Sequence, residues 1–493
     1  MIRKITDAAR WFAARPLAVY ATIFAIFLIV RVIIVAGGEV FQSWDSAVYA
    51  YRDDPSRNRG PLVSFIGHAP RPWGLPLFFA MFPTDEARAI GQSVLGAFAW
   101  TVLAWELTRH LKTRAARYSA FAAVLLFSSL TNVTAWDFTI LTESTTVSLG
   151  VLIVALLMRW ARTESWIPLA LAMFLTVWWT FIRPDIRVFT VVVIGVLAVA
   201  GWRVWRRRAG DPATKRRLLA VGTSVLVLGL GIAWYSAITP SMDKTFAPYD
   251  GDAIRSDPLP ADEELFVYRL RVDVSTNPEM WQAYKAKLGM PTCPDVEAFT
   301  HRSDWASVEW AEAYRRCQPM VDWVAQHKGG IFWTDILKAD PGLAIRRFLI
   351  TSSLAIGGEV YAHVPQVVPA PIEKIAFPSR RYGLPFALLA YGAALALALA
   401  AGARRYRIPL ITSAVLMGAA LLSIFATVVV HSGEYARFGV QETLATRVAI
   451  IMLLACALDS WLVRRRTRET APQSPSVAVK PDPSRDNLQP TRR

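Results

Sequence analysis

Carboxylate and guanidinium side chains occur at four widely separated places in a chain that is otherwise mostly apolar. These places are Asp45, Glu143, the pair Arg183 and Arg187, and Arg437. A carboxylate held near an acceptor hydroxyl can remove its proton and so act as a general base. Arginine binds phosphate bidentately and stabilises the charge that develops on a phosphate as it leaves. If the fold brings them together, these residues predict transfer of a group from a phosphate-bearing donor to a hydroxyl, with Asp45 and Glu143 as catalytic candidates.

Further polar and aromatic residues accompany these places. The candidates for an acceptor pocket are Tyr49, Arg71, Trp73, Asp137 and Glu434. Structural alternatives stay open, because Asp45 could cap a helix, Glu143 could make a structural hydrogen bond, and the arginines could anchor helix ends at headgroups. No spacing of His, Cys and carboxylates is typical of a metal site, although Asp45, Asp53 and Asp54 could hold a divalent cation. The sequence thus requires no cofactor and leaves a divalent cation open.

The elements that must position these residues are membrane-spanning helices. Hydrophobic residues make up 54% of the chain. They come in blocks of about twenty, the length that crosses a bilayer as a helix. The predicted spans are 16–35, 88–107, 119–131, 138–157, 167–181, 188–204, 218–238, 383–401, 408–430 and 444–463. We therefore expect an all-α polytopic membrane protein with about ten transmembrane helices.

The basic residues indicate how these helices are oriented. The net charge is +16, and the basic residues cluster in alternate short connections between the apolar blocks. This is the positive-inside pattern, which predicts both termini in the cytoplasm and leaves no charge that calls for nucleic acid. We expect the first apolar run to be an uncleaved anchor, with a cleaved signal peptide as the alternative. The protein should lie in the plasma membrane with the four charged places on its extracytoplasmic side.

Two long segments divide the chain into modules. The expected organisation is an N-terminal transmembrane module of about seven helices at 1–238 with a catalytic first outer loop at 38–87, an extracytoplasmic domain at 239–382, a C-terminal module of three helices at 383–463, and a disordered cytoplasmic tail at 464–493.

The extracytoplasmic domain should be mostly helical. Helical character is predicted at 262–270, 281–288 and 308–317, and the apolar but charged stretch 344–360 suits an interfacial or re-entrant helix better than a span. Cys293 and Cys317 could pair in an oxidising compartment, or remain two buried thiols.

Short motifs, taken in order along this topology, resemble the GT-C glycosyltransferases, the superfamily of protein O-mannosyltransferases, lipid A aminoarabinose transferase and cell-wall arabinosyltransferases. The motifs are Asp45 with Tyr49, then Arg71-Pro72-Trp73-Gly74-Leu75-Pro76-Leu77-Phe78, Leu141-Thr142-Glu143-Ser144, Arg183-Pro184-Asp185 and Gly433-Glu434-Tyr435-Ala436-Arg437. The resemblance covers residues 16–187 by motif and the rest by architecture. The chain departs from the family where Trp73 replaces a common Pro or Gly, and where many members carry additional outer-loop acids.

The resemblance implies Asp45 as general base and a donor phosphate bound near Arg183, Arg187 and Arg437. It also implies that the outer domain helps to bind the acceptor. Because no nucleotide sugar is available outside the cell, the expected donor is a polyprenyl-phosphate-linked sugar, and the acceptor is a glycan, glycolipid or protein hydroxyl. Two alternatives stay open: a transporter or flippase of a lipid-linked sugar, and a ligase or polymerase of lipid-linked glycans.

Overall fold

The computed structural model is built of helices. It describes residues 16–43, 45–50, 61–69, 71–183, 185–207, 212–245, 266–300, 308–327, 332–358, 360–430 and 435–470. Within these residues the helices are α1 (Pro16–Gly37), α2 (Ser46–Ala50), α3 (Gly74–Phe79), α4 (Asp85–Thr108), α5 (Arg114–Ser128), α6 (Thr131–Thr134), α7 (Glu143–Thr163), α8 (Trp166–Thr180), α9 (Ile186–Arg207), α10 (Pro212–Thr245), α11 (Pro278–Leu288), α12 (Pro294–Glu297), α13 (Val308–Arg316), α14 (Gln318–His327), α15 (Phe332–Ala339), α16 (Pro341–Ile356), α17 (Ala370–Ala376), α18 (Gly383–Ala400), α19 (Arg407–Val430), α20 (Tyr435–Phe438) and α21 (Val440–Thr470). Outside the helices, one parallel β-bridge joins Phe41 to Thr139 in this part of the chain. The all-α expectation is confirmed.

Seven helices of the described chain are long and apolar enough to cross a membrane. They are Pro16–Gly37, Glu143–Thr163, Ile186–Arg206, Thr214–Pro240, Ala370–Ala400, Arg407–Val429 and Val440–Glu469, and the bent pair Arg114–Ser128 with Thr131–Phe138 would add an eighth. The predicted spans 88–107 and 167–181 coincide with α4 and α8. Neither helix is among the seven, because α8 is apolar but shorter and α4 is not among the helices apolar enough to qualify. The chain is a multi-pass membrane protein, while ten crossings and the side of each terminus stay predictions.

The fourth predicted span, 138–157, begins too early. Ala135–Phe138 form a 3-10 turn, and α7 starts only at Glu143. Gln92 of α4 donates to the backbone oxygen of Asp137 at 2.9 Å, which satisfies a carbonyl that a continuous helix would have used itself. Glu143 therefore lies in the first turn of α7, where the helix dipole favours a negative charge.

The last helix, α21, ties the two halves of the molecule together. It packs against α18 and α19 of its own half and against α5 and α7 of the first half. Asp459 of α21 accepts hydrogen bonds from the backbone N–H groups of Lys112 (2.6 Å) and Thr113 (2.7 Å), and from the hydroxyl of Tyr406 (2.6 Å). These bonds fix the C-terminal half of α21 beside the α4–α5 connection. At the other end, Arg437 just before α21 donates to Glu143 at the start of α7.

A small helical domain with its own core lies between α10 and α18. Trp281, Tyr284 and Trp310 are fully buried in it, and a disulfide joins Cys293 to Cys317 across 24 residues. The predicted helical stretches 281–288 and 308–317 correspond to α11 and α13. Of the stretch 262–270, the first residues lie outside the described chain, and the rest is a helical turn that continues as a π-helix at Leu270–Val274.

Helix α16 connects this domain to the membrane helices, at the place where an interfacial helix was predicted. Its N-cap Asp340 accepts from the Leu343 N–H at 3.0 Å. Leu343 packs in the domain core, whereas Ile356 at the other end packs among α18 and α19. Ile345 and Leu349 leave an exposed apolar face between the two ends. The depth of this helix relative to a membrane stays a prediction.

Candidate functional site

Asp45 lies between two arginines that come from opposite ends of the chain. Arg437 Nη2 donates to Asp45 Oδ2 at 3.0 Å, and Arg71 Nη2 donates to Asp45 Oδ1 at 3.4 Å. The Asp45 side chain is 26% exposed, whereas that of Arg437 is only 5% exposed. An incoming molecule can therefore reach the carboxylate, while the guanidinium behind it is held in place.

Glu143 joins the same arginine from the buried side. Its Oε1 accepts from Arg437 Nε at 2.8 Å and from Arg183 Nη1 at 3.2 Å. Its second oxygen, Oε2, is buried and has no hydrogen-bond partner. A buried carboxylate oxygen without a partner is costly, and such atoms are more frequent at functional sites than in ordinary cores. We call Asp45, Arg71, Glu143, Arg183 and Arg437 the arginine–carboxylate cluster.

The short helix α20 carries Arg437 into this cluster. Gly439 follows it, and a Cβ there would lie 2.1 Å from the backbone oxygen of Ala355 in α16. Only a residue without a side chain allows α20 to approach α16 so closely. The ring of Phe438 lies 5.2 Å from Arg183 Cζ and 5.6 Å from Arg437 Cζ. This ring holds the two guanidiniums by cation–π contacts.

A backbone contact brings the Arg71 segment to the same place. The Gly74 N–H donates to the Phe181 oxygen at 3.0 Å, and a Cβ at Gly74 would lie 2.6 Å from that oxygen. Trp73, predicted as a pocket residue, stacks on Phe181 at 4.9 Å and lies 5.8 Å from Trp234. Trp73 therefore packs as a wall that aligns the Arg71 segment with the loop that carries Arg183.

The charges of the cluster set the ionisation of its outer members. Burial alone would raise the pKa of Asp45, but Arg71 and Arg437 outweigh it and hold that pKa below its ordinary value. Arg71 Cζ lies 5.3 Å above the Tyr49 ring, and burial raises the pKa of the Tyr49 hydroxyl. Asp45 is thus an anion and Tyr49 a neutral hydroxyl at neutral pH. A bound phosphate would compete with Asp45 for Arg437.

Arg187 approaches the cluster from another side. Its Cζ lies 4.9 Å from the ring of Tyr235 in α10. Tyr235 is in electrostatic range of Tyr49 and Arg71. Arg187 therefore lies near the cluster, on the far side of the Tyr235 ring.

Asp137 is placed elsewhere, although it precedes Glu143 by only six residues. Its Oδ2 accepts from Arg31 Nη1 at 2.8 Å, and its Oδ1 accepts from the Ser144 hydroxyl at 2.5 Å. Asp137 and Arg31 are both about 5% exposed. Asp137 thus completes a closed ion pair that neutralises the arginine in α1, and the structure gives it no contact with Asp45.

Several predicted positions lie outside the described residues. These are Glu434, Asp53 and Asp54. Among the residues that are described, no group of three or more His, Cys, Asp or Glu side chains is arranged to hold a metal ion. The divalent-cation prediction, which needs Asp53 and Asp54, is therefore not tested.

Two acidic residues of this region were not among the predicted site residues. Asp185 accepts from Arg183 Nε at 3.0 Å and thereby fixes the guanidinium from the side opposite to Glu143. Glu442, in the first turn of α21, accepts from the Ser423 hydroxyl, and its Oε2 is buried without a partner. The neighbouring Gln441 has no hydrogen bond on either amide atom. The sequence signal was available, since polar residues that open an apolar span are functional candidates.

An elongated apolar cavity begins beside the cluster. It has a volume of about 740 Å³ and lies between α7, α9, α19 and α21. Thr146 and Gln441 line one end, and Trp160 and Arg203 line the other. Thr146 is one helical turn after Glu143, and Gln441 follows Arg437 by four residues, across the break between α20 and α21. Thr146 and Trp160 are about 21 Å apart along α7, from the helical rise per residue. The cavity therefore extends across most of the thickness of a hydrocarbon core.

Similarity to known proteins is found in three-dimensional structure. No protein-family model matches the chain, and no curated protein sequence matches it significantly. A solved structure of the archaeal oligosaccharyltransferase AglB from Archaeoglobus fulgidus, in complex with an inhibitory peptide and a dolichol-phosphate, is similar over 94% of this chain with 11% identity and a TM-score of 0.42. The chain spans about half the length of that protein, 52%.

Proposed function

We propose that this protein is an extracytoplasmic glycosyltransferase that moves a sugar from a polyprenyl-phosphate donor to a hydroxyl of an envelope glycan, a glycolipid or a protein. The observation that carries the proposal is the position of the arginine–carboxylate cluster at one end of the apolar cavity. A lipid-linked phosphate has the same two parts, an anionic head and a long apolar tail. The charged cluster would bind the anionic head, and the apolar cavity that starts next to it would bind the tail.

The donor would bind with its tail in the cavity and its phosphate at Arg437 and Arg183. Both guanidiniums are buried, so their attraction for phosphate is screened less than it would be in water. The cavity wall is almost entirely apolar. Thr146 and Gln441 are the polar exceptions at the end nearest the cluster, and the amide of Gln441 would bond the first polar atoms of the donor. This arrangement orders the donor along the membrane normal with the sugar beyond the phosphate.

Asp45 would act as the base. It removes the proton from the acceptor hydroxyl, whose oxygen then forms a bond to the anomeric carbon of the sugar. The bond between that carbon and the phosphate oxygen breaks, and the polyprenyl phosphate leaves with the electron pair. Arg437 and Arg183 stabilise the charge on the leaving phosphate. Because the acceptor attacks from the opposite face, the reaction inverts the anomeric centre.

Donor binding would also activate Asp45. In the structure the basicity of its carboxylate is lowered by Arg437. A phosphate that takes over Arg437 Nη2 releases one Asp45 oxygen and adds a second anion nearby, and both changes make the carboxylate a stronger base. Glu143 would keep Arg437 in position during the reaction by accepting a hydrogen bond from the Arg437 Nε. The base thus becomes competent only when the donor is present.

Transfer can be tested with purified protein and labelled polyprenyl-phosphate sugars. The wild-type protein should release polyprenyl phosphate and form a glycosylated product. Asp45→Asn should lose about 100-fold or more in transfer rate, the usual contribution of a general base. Asp85→Asn is the matched control, because Asp85 is also in the outer-loop region but pairs with Arg88 at 2.6 Å.

The outcomes separate the proposal from its alternatives. Wild-type turnover by Asp45→Asn would remove Asp45 from the base role. Movement of intact donor across a vesicle membrane, with no cleavage of the phosphate–sugar bond, would identify a carrier. Transfer of a preassembled glycan with no transfer of a single sugar would identify a ligase or polymerase.

A further inference from the structure

A second apolar cavity lies on another face of α21, away from the cluster. It has a volume of about 450 Å³ and lies between α5, α17, α18 and α21. Its lining is apolar with the exception of Arg447. The two cavities use different faces of one helix, since Leu444 and Val448 line the first and Ile451 and Leu454 line the second. The second cavity is therefore a separate feature.

Arg447 is buried in the wall of this cavity with part of its hydrogen-bonding capacity unused. Its Nε donates to the Ala376 oxygen at 3.2 Å, and its Nη1 donates to the Thr446 hydroxyl at 2.9 Å. Its Nη2 is buried and has no partner. The rings of Phe377 and Phe386 lie 5.5 Å and 5.9 Å from its Cζ. In the part of the chain that the structure describes, no carboxylate is within ion-pair distance of Arg447.

The other buried arginines of the membrane helices and their connecting loops differ in this respect. Arg31, Arg183 and Arg437 each contact a carboxylate within 3.2 Å. A buried charge without a counter-ion is strongly unfavourable, and it is normally paired or reaches water. Arg447 is only 4% exposed, so it does not reach water, and it has no carboxylate partner among the described residues. An anion from outside the chain would complete the site.

The cavity is open to the side, where lipid would surround the protein. Ile375 is 72% exposed, Leu397 is 55% exposed and Leu126 is 45% exposed, and all three belong to the lining. Such side chains would meet acyl chains directly. The charged end is near the start of α21, and the apolar part extends along α18 from Phe386 to Leu397. An amphiphile with one anionic head fits this distribution.

We propose that this cavity binds an anionic phospholipid of the bilayer, with its phosphate on Arg447 and an acyl chain between α5 and α18. The guanidinium Nη2 donates to a phosphate oxygen, and the lipid supplies the counter-ion that the chain lacks. The proposal does not depend on the proposed function, because it concerns a different face of α21 and a different class of lipid.

The full-length protein in nanodiscs or detergent can be tested by native mass spectrometry. Three probes are added separately: phosphatidylglycerol, phosphatidylcholine with the same acyl chains, and inorganic phosphate. Wild-type protein should retain one phosphatidylglycerol, and Arg447→Gln should reduce that retention about tenfold, as expected for the loss of a charge-assisted hydrogen bond. Arg447→Lys should retain part of the binding, since lysine keeps the positive charge but lacks the planar guanidinium that can donate two hydrogen bonds to one phosphate.

A second pair of variants tests the cavity without touching the arginine. Ala393→Phe fills the cavity from its exposed side, whereas Ala396→Phe makes the same change at an exposed position outside the lining. Only Ala393→Phe should reduce phosphatidylglycerol retention, so the test stands even if Arg447→Gln does not fold. Equal retention by Arg447→Gln and wild type, equal binding of phosphatidylcholine, or binding of inorganic phosphate alone would each overturn the proposal.

Discussion

Two groups of paired arginine and carboxylate side chains meet at the start of α7: the Arg31–Asp137 pair and the arginine–carboxylate cluster. Their hydrogen bonding differs. The Arg31–Asp137 pair is closed, because both carboxylate oxygens of Asp137 accept hydrogen bonds and Ser144 completes the shell. The arginine–carboxylate cluster is open, because Glu143 Oε2 has no partner and Asp45 is about one quarter exposed. Adjacent residues in one sequence, Glu143 and Ser144, belong to different groups.

The difference shows how a charged residue in an apolar chain can be assigned. In the Arg31–Asp137 pair the opposite charges offset each other, and both carboxylate oxygens are used, so this carboxylate leaves no acceptor for a ligand. The open cluster keeps one unused carboxylate oxygen, Glu143 Oε2, and a partly exposed carboxylate, Asp45, which a purely structural pair would not need. We therefore interpret Arg31 and Asp137 as structural and the cluster as the proposed site.

The largest effect should come from breaking the closed pair. Arg31→Ala leaves Asp137 buried without a counter-charge, and removing one partner of a buried pair costs about 3–5 kcal/mol. The double variant Arg31→Leu with Asp137→Leu removes both charges and should recover much of this loss. The measurement is the thermal unfolding temperature in detergent. A single variant as stable as wild type would refute the structural assignment.

Opening the cluster further should affect donor use more than stability. Arg437 contacts Glu143 through Nε and Asp45 through Nη2, and the single ammonium of lysine cannot replace both contacts. Arg437→Lys and Arg437→Ala should lower transfer about 100-fold, the size expected for one lost transition-state donor.

The same variants should distinguish the two substrates. Because the arginine would hold the donor phosphate, kcat/KM for the donor should fall more than that for the acceptor, and Arg183→Ala should behave similarly. Equal losses for donor and acceptor would contradict a phosphate role for these arginines.

A smaller effect is expected in the pH dependence. In the proposed mechanism Asp45 can act as a base only when it is deprotonated, and Arg71 helps to hold its pKa below the ordinary value. The activity should be present above that pKa and be lost as the pH falls through it. Arg71→Gln removes one positive charge, raises the pKa of Asp45 and should move the acid limb of the pH–rate profile to higher pH.

Arg71→Lys is the matched control for this prediction, because it keeps the charge and should leave the acid limb near its wild-type position. An acid limb that moves to lower pH in Arg71→Gln, or moves equally in both variants, would separate Arg71 from the ionisation of Asp45.

The sequence predicted the helices and most of the cluster, because these depend on local pattern and on alternation of sides. Each of the ten predicted spans overlaps a helix of the structure. Asp45, Glu143, Arg183 and Arg437 were assigned to one side of the membrane by the positive-inside pattern, and the structure brings their side chains together. The pattern could find them because each lies either in a connection assigned to the outer side or near the outer end of an apolar block.

What the sequence missed depends on contacts between distant residues. Asp137 was grouped with the site because its partner Arg31, 106 positions away, could not be read from spacing. The late start of α7 arises from a hydrogen bond with Gln92 of another helix. The stacking of Trp73 on Phe181 likewise could not be read from the sequence, and its role as a pocket residue stays a prediction. In each case a tertiary contact, which the local sequence does not show, determines where the residue lies.

The central claim is that Asp45 is a base that shares Arg437 with the donor phosphate. The most direct measurement compares donor binding and transfer in Asp45→Asn. Asp45→Asn removes the negative charge that competes with the donor phosphate for Arg437, so the variant should bind the polyprenyl-phosphate sugar at least as tightly as the wild type while transfer falls about 100-fold or more. Retained transfer, or loss of donor binding together with transfer, would contradict the account.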